Sequence, residues 1–317
     1  MLFSVVIPLY NGGATIVRAL KSVMNQTITD FEVIVVDDGS NDDGLLLVRC
    51  IHDQRIRTMH QDNAGVSAAR NRGINLACGE FVAFLDADDE WEPDHLETMA
   101  DLHRRFLECE VIATSYYMSR RPGRRRQAII RGLPPGWEGE LEHYFDTASR
   151  SEPPLHTSSV AARRAALLRV GGFPEGVISG EDLLTWAKLA LRCRIAYSTR
   201  PKAVLWLAPS HVYEADPRTR RKTELADKVG DELRCLYLES RSLPQAKGFR
   251  RYLALWYRMR TNTLLTTGHR LLGFRSLLES ARAYPFEPKL AAYLVFTLLP
   301  LRFMVAVFKR FASSARV

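Results

Sequence analysis

Several familiar patterns are missing from this 317-residue sequence, and each absence removes a class of protein. Its five cysteines, Cys50, Cys78, Cys109, Cys193 and Cys235, stand far apart with no C-x-x-C pair. That spacing excludes a zinc ribbon or a disulfide framework and fits a reducing cytosol. Neither G-x-G-x-x-G nor G-x-x-x-x-G-K-S/T occurs, so no dinucleotide fingerprint or P-loop competes for the assignment. There is no internal repeat and no low-complexity tract. Strand-like residues begin at Phe3, almost at the first methionine, so no secretory leader is expected. With 46% hydrophobic residues the chain is not disordered, and its length allows one large domain or a core domain with an elaborated tail.

Charge is present in excess but unevenly. The net charge is +8, whereas residues 241 to 317 hold eleven Arg and three Lys against Glu279 and Glu287, a balance of 14 − 2 = +12. Residues 1 to 240 therefore carry 8 − 12 = −4, and the basic character belongs to the tail. The first hundred residues alternate in period: an apolar strand at Phe3 to Leu9, helical spacing at Ile16, Ala19, Leu20, Val23 and Met24, then a strand from Phe31 to Val36. A weak strand at Ile56 to His60, a helix from Val66 to Ala77 and a strand at Phe81 to Leu85 continue this βαβ pattern. Pro93 suits the first position of a helix running to Leu107, and Val111 to Tyr117 reads as a further strand. Residues 119 to 137, with Arg120, Arg121, Arg124, Arg125, Arg126 and Arg131 among Pro and Gly, read as a loop. A second ordered block holds a strand at Ser158 to Ala162, a helix to Val170, the turn Gly171-Gly172-Phe173 and a helix after Gly180. An apolar strand follows at Lys202 to Leu207.

Two strands end in acid clusters, Asp37-Asp38-Gly39-Ser40 and Asp86-Ala87-Asp88-Asp89. In a parallel sheet both open onto the carboxyl edge, where open α/β sheets bind ligands. Carboxylate oxygens favour a hard divalent cation, Mg²⁺ or Mn²⁺, whose shell is completed by substrate phosphates. The pair reads as a nucleoside diphosphate site. Asp38 can accept from a pyrimidine N–H, Tyr10 offers a ring face, and Pro8 and Leu9 offer backbone. Each motif alone has a plainer reading: Asp-Asp-Gly-Ser is an ordinary turn, a lone D-x-D is a solvated loop, and Glu181-Asp182 is an acidic pair favoured at a helix start.

In order along the chain, however, Val5 to Asn11, Val35 to Ser40, Asn63 to Asn71, Gly79 to Asp89, Gly171 to Phe173 and Gly180 to Asp182 resemble the family 2 glycosyltransferases, inverting enzymes of GT-A fold. The resemblance spans residues 3 to 212. It implies an α/β architecture with a mostly parallel, Rossmann-like sheet flanked by helices over residues 1–215, followed by a helical region over 216–317. The nucleotide-binding half is expected at 1–117 and the acceptor half at 118–215. The resemblance also implies a UDP-sugar donor held by Pro8, Leu9, Tyr10, Asn11, Asp38, Arg70, Asp86 and Ala87, with Asp86 facing the ribose. Asp88 is expected to ligate a divalent metal, Asp89 to position the loop, and His211 to serve as a further metal ligand. Asp182 is the expected catalytic base, assisted by Glu181. No Q-x-x-R-W element is found, which points to transfer of a single sugar to a saccharide or lipid-linked acceptor. A catalytically silent sugar-nucleotide binder on the same fold is the alternative; intact Asp86, Asp88 and Asp182 disfavour it.

The apolar stretch Leu290 to Phe308 is long enough to span a bilayer at ~1.5 Å per residue. Pro300 and Arg302 argue against a span, since a central arginine costs about 2.5 to 3.5 kcal/mol. An interfacial helical hairpin with a basic rim is expected instead, placing the protein peripherally on an anionic membrane at its cytoplasmic face. No nucleic acid is expected, because the basic tail carries apolar residues and no recognisable binding motif. The arginines of 119 to 131 could meet the diphosphate, an anionic acceptor or lipid headgroups, or be solvated.

Overall fold

The computed structural model describes residues 1–121, 123–207 and 224–298. They divide into two compact units, Met1–Leu207 and Ala208–Val317; the boundary expected after residue 215 lies outside the described residues.

In the first unit, β1 (Phe3–Leu9) is buried at every position, as expected of a strand covered on both faces, which needs no polar alternation. Helix α1 (Ile16–Met24) buries Ile16, Ala19, Leu20 and Val23 along one stripe. Strand β2 (Phe31–Asp38), helix α2 (Gly44–Arg49) and strand β3 (Ile56–Gln61) follow. Helix α3 (Val66–Leu76) then leads to β4 (Phe81–Phe84). Strands β3, β2, β1 and β4 are neighbours in that order and all parallel. Helix α3 crosses β1 closely: a Cβ added at Gly73 would lie 2.3 Å from Val6 Cγ1, so only glycine lets the helix approach.

The remaining elements are β5 (Glu90–Trp91), α4 (His95–Arg105), β6 (Cys109–Arg121), β7 (Arg124–Gln127) and β8 (Glu138–Glu140). Then come α5 (Tyr144–Arg150), β9 (Val160–Arg163), α6 (Arg164–Arg169), α7 (Glu181–Ala190) and β10 (Arg194–Trp206). One sheet results, in the order β3-β2-β1-β4-β9-β6-β10-β5, with β7 on β6 and β8 on β10. The sheet is mixed: β9 enters antiparallel to both β4 and β6, which leaves β6, and its parallel partner β10, running the same way as β4. The carboxyl ends of β1, β2, β4, β6 and β10 therefore share one edge.

Three local expectations change. The strand expected at Ser158 begins at Val160, after a 3-10 turn at Thr157–Ser159. The last strand runs from Arg194 rather than Lys202, absorbing Pro201 at register shifts against β6, where a missing N–H is tolerated. The arginine-rich segment is not a simple loop. β6 continues to Arg121 because β10 supplies a partner as far as Ser119, and β7 folds back on it as a hairpin.

In the second unit, α8 (Lys228–Ser240), α9 (Phe249–Thr266), α10 (Arg270–Ala283) and α11 (Lys289–Leu298) are described. α9 and α10 pack through small residues. Ser276 Oγ donates to the Tyr257 carbonyl and Ser280 Oγ to the Ala254 carbonyl, both at 3.0 Å, which satisfies two hydroxyls in a buried seam. Among the described residues no helix is long and apolar enough to cross a membrane; of the stretch Leu290 to Phe308 expected to meet the membrane, residues 290–298 belong to α11 and the rest lies outside the described residues.

Behind the acid loop, His95 is fully buried and stacks on Trp91, with ring centroids 4.2 Å apart. Its Nδ1 lies 3.0 Å from the Lys202 carbonyl, which fixes Nδ1 as the protonated nitrogen. Burial pushes its pKa down to about 3 from 6.5. As pH falls below 6.5 the unfolded chain takes up a proton that native His95 refuses, so its contribution to stability is present above 6.5 and is lost progressively down to about 3. Urea unfolding should show lower stability at pH 5 than at pH 7, and the difference should shrink in His95→Gln.

Candidate active site

Polar contacts tie the ends of β1 and β2 together. Asn11, the one non-glycine residue with positive φ (50°) among the described residues, sits where the chain leaves β1. Its N–H donates to Ser40 Oγ at 3.0 Å and its Oδ1 accepts from the Asn41 N–H at 2.8 Å, so the two strand ends are clasped. Asp37 contacts His60 Nδ1 at 2.7 Å across the β2–β3 register. Against the upward push of burial, hydrogen bonds from Ser40 and His60 hold the Asp37 carboxyl below its usual value. Asp38 is 3% exposed. Its carboxylate accepts from Gln61 Nε2 and from the N–H groups of Ala64 and Gly65 at 2.8 to 2.9 Å, which uses three of about four acceptor positions. The side chains of Pro8 and Leu9 are buried, so these two residues present backbone alone. Tyr10 is 53% exposed.

The second cluster follows β4. Asp89 is buried and structural: its carboxylate accepts from Ser158 Oγ at 2.6 Å and from the Trp206 N–H at 3.0 Å. Ser158 Oγ also accepts from the Asp86 N–H at 3.1 Å. One hydroxyl thus fixes the loop at both ends. Arg18 of α1 donates to the Asp88 carbonyl and pairs with Glu90 at 3.3 Å. Asp88 itself is exposed and Ala87 partly so. Desolvation by the surrounding protein, followed by the Asp86 charge, pushes the Asp88 carboxyl above its usual value.

Arg70 joins this cluster to the start of α7. The guanidinium is 4% exposed, donating from Nη2 to Asp86 Oδ1 at 2.8 Å and from Nη1 to Glu181 Oε1 at 3.2 Å. Burial opposes its charge, yet Asp86 and Glu181 hold its pKa above the free value. The ring of Phe173 lies 5.1 Å from the guanidinium carbon. That ring is fixed edge-on against Phe84 and Trp186, and its backbone is clamped by Asn71. Asn71 Oδ1 accepts from the Phe173 N–H at 2.8 Å while Nδ2 donates to the Phe173 carbonyl at 2.9 Å. Gly172, with φ +66°, would put a Cβ 2.4 Å from Asn71 Oδ1, so the turn demands glycine for both reasons. Gly171-Gly172-Phe173 is therefore the platform under Arg70.

Glu181 and Asp182 occupy the first turn of α7, where the helix dipole favours negative charge. Burial, then the Asp182 charge, raises the Glu181 carboxyl, with Arg70 opposing. Asp182 Oδ1 accepts from the Leu183 N–H at 2.7 Å. Nearby His156 faces Tyr116 with centroids 5.3 Å apart, and burial pushes its pKa down to about 4, leaving it neutral at pH 7. Sequence reading missed Ser158, Arg18 and the Asn71 clamp. Each acts across 69 or more positions of chain, and no local spacing signals such contacts.

A divalent ion fits the acid loop in one respect: Asp88 and Asp86 are hard oxygen donors, and burial followed by the neighbouring Asp86 charge, which together raise the Asp88 carboxyl, disfavour its anion in a way that a bound cation would offset. Among the described residues no group of three or more His, Cys, Asp or Glu side chains is placed to hold a metal. One or two protein carboxylates with the rest of the shell left to phosphate and water is an arrangement that Mg²⁺ sites commonly take. His211 lies outside the described residues.

Residues 4–169 match the family model described as Glycosyl transferase family 2. An uncharacterized glycosyltransferase of Rickettsia conorii is 34% identical over 191 residues, which cover 59% of this chain and 30% of that protein. The chain spans less than a third of the length of the curated relatives it first matches. Among solved structures, S. aureus TarS 1-349 in complex with UDP-GlcNAc superposes with a TM-score of 0.69 at 22% identity, covering 98% of this chain and 92% of that one. Mannosyltransferase PcManGT from Pyrobaculum calidifontis, in complex with GDP-Man and Mn2+, gives a TM-score of 0.58 at 20% identity, covering 96% and 84%. At these identities the likeness is one of fold.

Removing the Arg70 charge strands two carboxylates. Arg70→Met should cost about 3 to 5 kcal/mol in urea unfolding, the usual penalty for breaking a buried pair from one side. Arg70→Met with Glu181→Gln should recover part of that loss, because one of the stranded charges is gone.

Proposed function

The chain belongs to glycosyl transferase family 2, and from that premise we propose that it moves one sugar, with inversion, from a UDP-sugar to a saccharide or lipid-linked saccharide acceptor. The observation that carries this reading is the Arg70 bridge, which brings Asp86 of the strand-end loop and Glu181 of the α7 start to one guanidinium. In this reading residues 1–117 hold the donor and residues 118–215 the acceptor. The exposed Tyr10 ring stacks on the base, and Asp38 spends its remaining acceptor position on the base N–H. The backbone of Pro8, Leu9 and Asn11 borders the nucleotide, and Asp86 and Ala87 face the ribose. The UDP-GlcNAc complex of TarS on the same fold supports naming a uridine nucleotide.

Asp182 is the proposed base. Glu181 is engaged by Arg70 at 3.2 Å and helps to hold the local geometry. The acceptor hydroxyl oxygen bonds to the anomeric carbon as the bond from that carbon to the diphosphate oxygen breaks, and the hydroxyl proton passes to the Asp182 carboxylate. A Mg²⁺ or Mn²⁺ held by Asp88, with His211 as a proposed further ligand, would stabilise the charge that develops on the leaving diphosphate. The Mn2+ in the PcManGT complex is consistent with such an ion. Arg70 keeps Asp86 oriented and so acts on the donor side through its partner.

Asp182→Asn should keep UDP affinity while single-sugar transfer falls by about 10² to 10⁴-fold. Asp88→Ala, or EDTA, should abolish both transfer and metal-dependent UDP binding. Full transfer in either case would remove the corresponding group from the mechanism, and UDP binding without any transfer from a panel of UDP-sugars would identify a silent binder.

The basic second unit is proposed to touch an anionic membrane. On α10, Leu271 is 65% exposed, and Phe274 and Leu278 follow at helical spacing with exposed Arg275 and Arg282. Each basic residue near an anionic surface contributes about 1 kcal/mol. The full chain should sediment with vesicles containing phosphatidylglycerol and be partly released by salt; no binding at low salt would refute the contact.

A further inference from the structure

Strand β9 runs antiparallel between β4 and β6, pairing Ala161 with Ala83 and Val160 with Ala113. The residues just before it therefore lie at the carboxyl ends of those two strands, on the edge that carries the acid loop. Ser158 occupies this stretch and accepts from the Asp86 N–H; His156 stands two residues earlier. The backbone of His156 is held by Ser159, whose N–H and Oγ both donate to the His156 carbonyl, at 2.7 and 3.1 Å. Its half-buried ring packs on Tyr116 of β6, with 5.3 Å between centroids, and the Tyr116 hydroxyl is fixed by donation to the Pro153 carbonyl at 3.0 Å. The two ring nitrogens are used differently. Nδ1 caps the 3-10 turn Thr157–Ser159 by accepting from the Ser158 N–H at 3.4 Å, so the proton of the neutral ring sits on Nε2. Nε2 has no partner among the described residues, yet it is not one of their buried unpaired atoms. An N–H donor is thus left open at this edge.

We propose that His156 Nε2–H contacts the sugar being transferred, donating a hydrogen bond to one of its hydroxyl oxygens. The inference rests on the reading of this edge as a transferase site. Both halves of that site bear on the residue. After burial, the charges that act on the His156 ring are those of Asp86 and Arg70. Burial also raises the Tyr116 phenol, and the Asp182 charge is among the smaller causes that add to it. His156 and Tyr116 therefore lie between the loop that would hold the leaving diphosphate and the proposed base, where the sugar must sit while its anomeric carbon passes from one oxygen to the other. The fixed tautomer decides the role. A nitrogen that already carries a proton cannot take one from the acceptor, so His156 does not compete with Asp182 as base. Neutrality decides the ligand: burial holds the ring pKa at about 4, and an uncharged donor suits a hydroxyl oxygen, whereas a diphosphate is better met by a cation.

Two substitutions separate this contact from the capping role. Asparagine places its amide oxygen where Nδ1 sits and is a favoured cap, so His156→Asn keeps the turn and loses the outward donor. Glutamine places an amide NH₂ where Nε2 sits, so His156→Gln keeps the outward donor and loses the cap. The full chain, with Mn²⁺ present, is titrated with UDP, UDP-glucose, UDP-galactose and UDP-GlcNAc. His156→Asn should bind UDP as wild type does and bind the UDP-sugar that wild type prefers about tenfold more weakly, while His156→Gln stays within about threefold of wild type for both, as loss and retention of one hydrogen bond require. In wild type carrying ¹⁵N-histidine, the His156 signal, assigned by its absence in His156→Gln, should show Nε2 protonated and should shift with that UDP-sugar and not with UDP. A histidine that only caps gives the reverse pattern, His156→Gln impaired and His156→Asn unaffected, and overturns the contact. Equal loss of UDP and UDP-sugar affinity in His156→Asn overturns it as well, because it assigns the ring to the acid loop, and so does a ring protonated on Nδ1. If wild type does not bind UDP, the transferase reading fails and this contact with it; UDP binding with undiminished UDP-sugar affinity in His156→Asn sinks the sugar contact alone.

Discussion

The site depends on one buried cation. Arg70 lies on α3 but answers to two carboxylates that the chain delivers from separate elements, Asp86 after β4 and Glu181 at the start of α7. A guanidinium this deeply buried is tolerable only when its charge is matched, and here it is matched by two groups that would otherwise repel their acidic neighbours. The constraint works in both directions. Asp86 sits beside Asp88 and Asp89, and Glu181 beside Asp182; without the cation each cluster would carry uncompensated charge.

Around that cation the supporting contacts form a second layer. Phe173 lies under the guanidinium, Asn71 holds Phe173 by its backbone, and Gly172 leaves Asn71 the space it needs. On the other side Ser158 ties the Asp86 backbone to the Asp89 carboxylate. Asn71 follows Arg70 directly, so a single turn of α3 sends one residue to the acids and the next to the platform. The pairing of two adjacent polar residues with two distant segments is what makes short motifs at residues 70, 86, 172 and 181 parts of one object.

The sequence made the alternating first half legible because buried parallel strands read as continuous apolar runs and α1 shows a clean stripe. It also put Asp38 and Asp86 at strand ends and Glu181 at a helix start, since acids after an apolar run are visible locally. What it did not reveal is partnership. Ser158 looks like any serine before a strand, and Arg18 like a surface helix charge, until the fold brings each within hydrogen-bond reach of the acid loop. The arginine hairpin was hidden for a similar reason: residues 119 to 127 have the composition of a loop, and they extend as strands because β10 offers β6 a partner that composition does not announce.

The sheet ends in ways that bear on solubility. Its β5 border is only two residues long and is followed, after Glu92, by Pro93, and its outlying strand β7 is Arg-Arg-Arg-Gln, exposed at every position. A free strand edge is a template on which another chain can zip, and short length, proline and a row of like charges are what deny it that use. A row of like charges on β7 disfavours strand-to-strand pairing at this border, so neutralising these arginines removes a safeguard against self-association that is independent of any ligand.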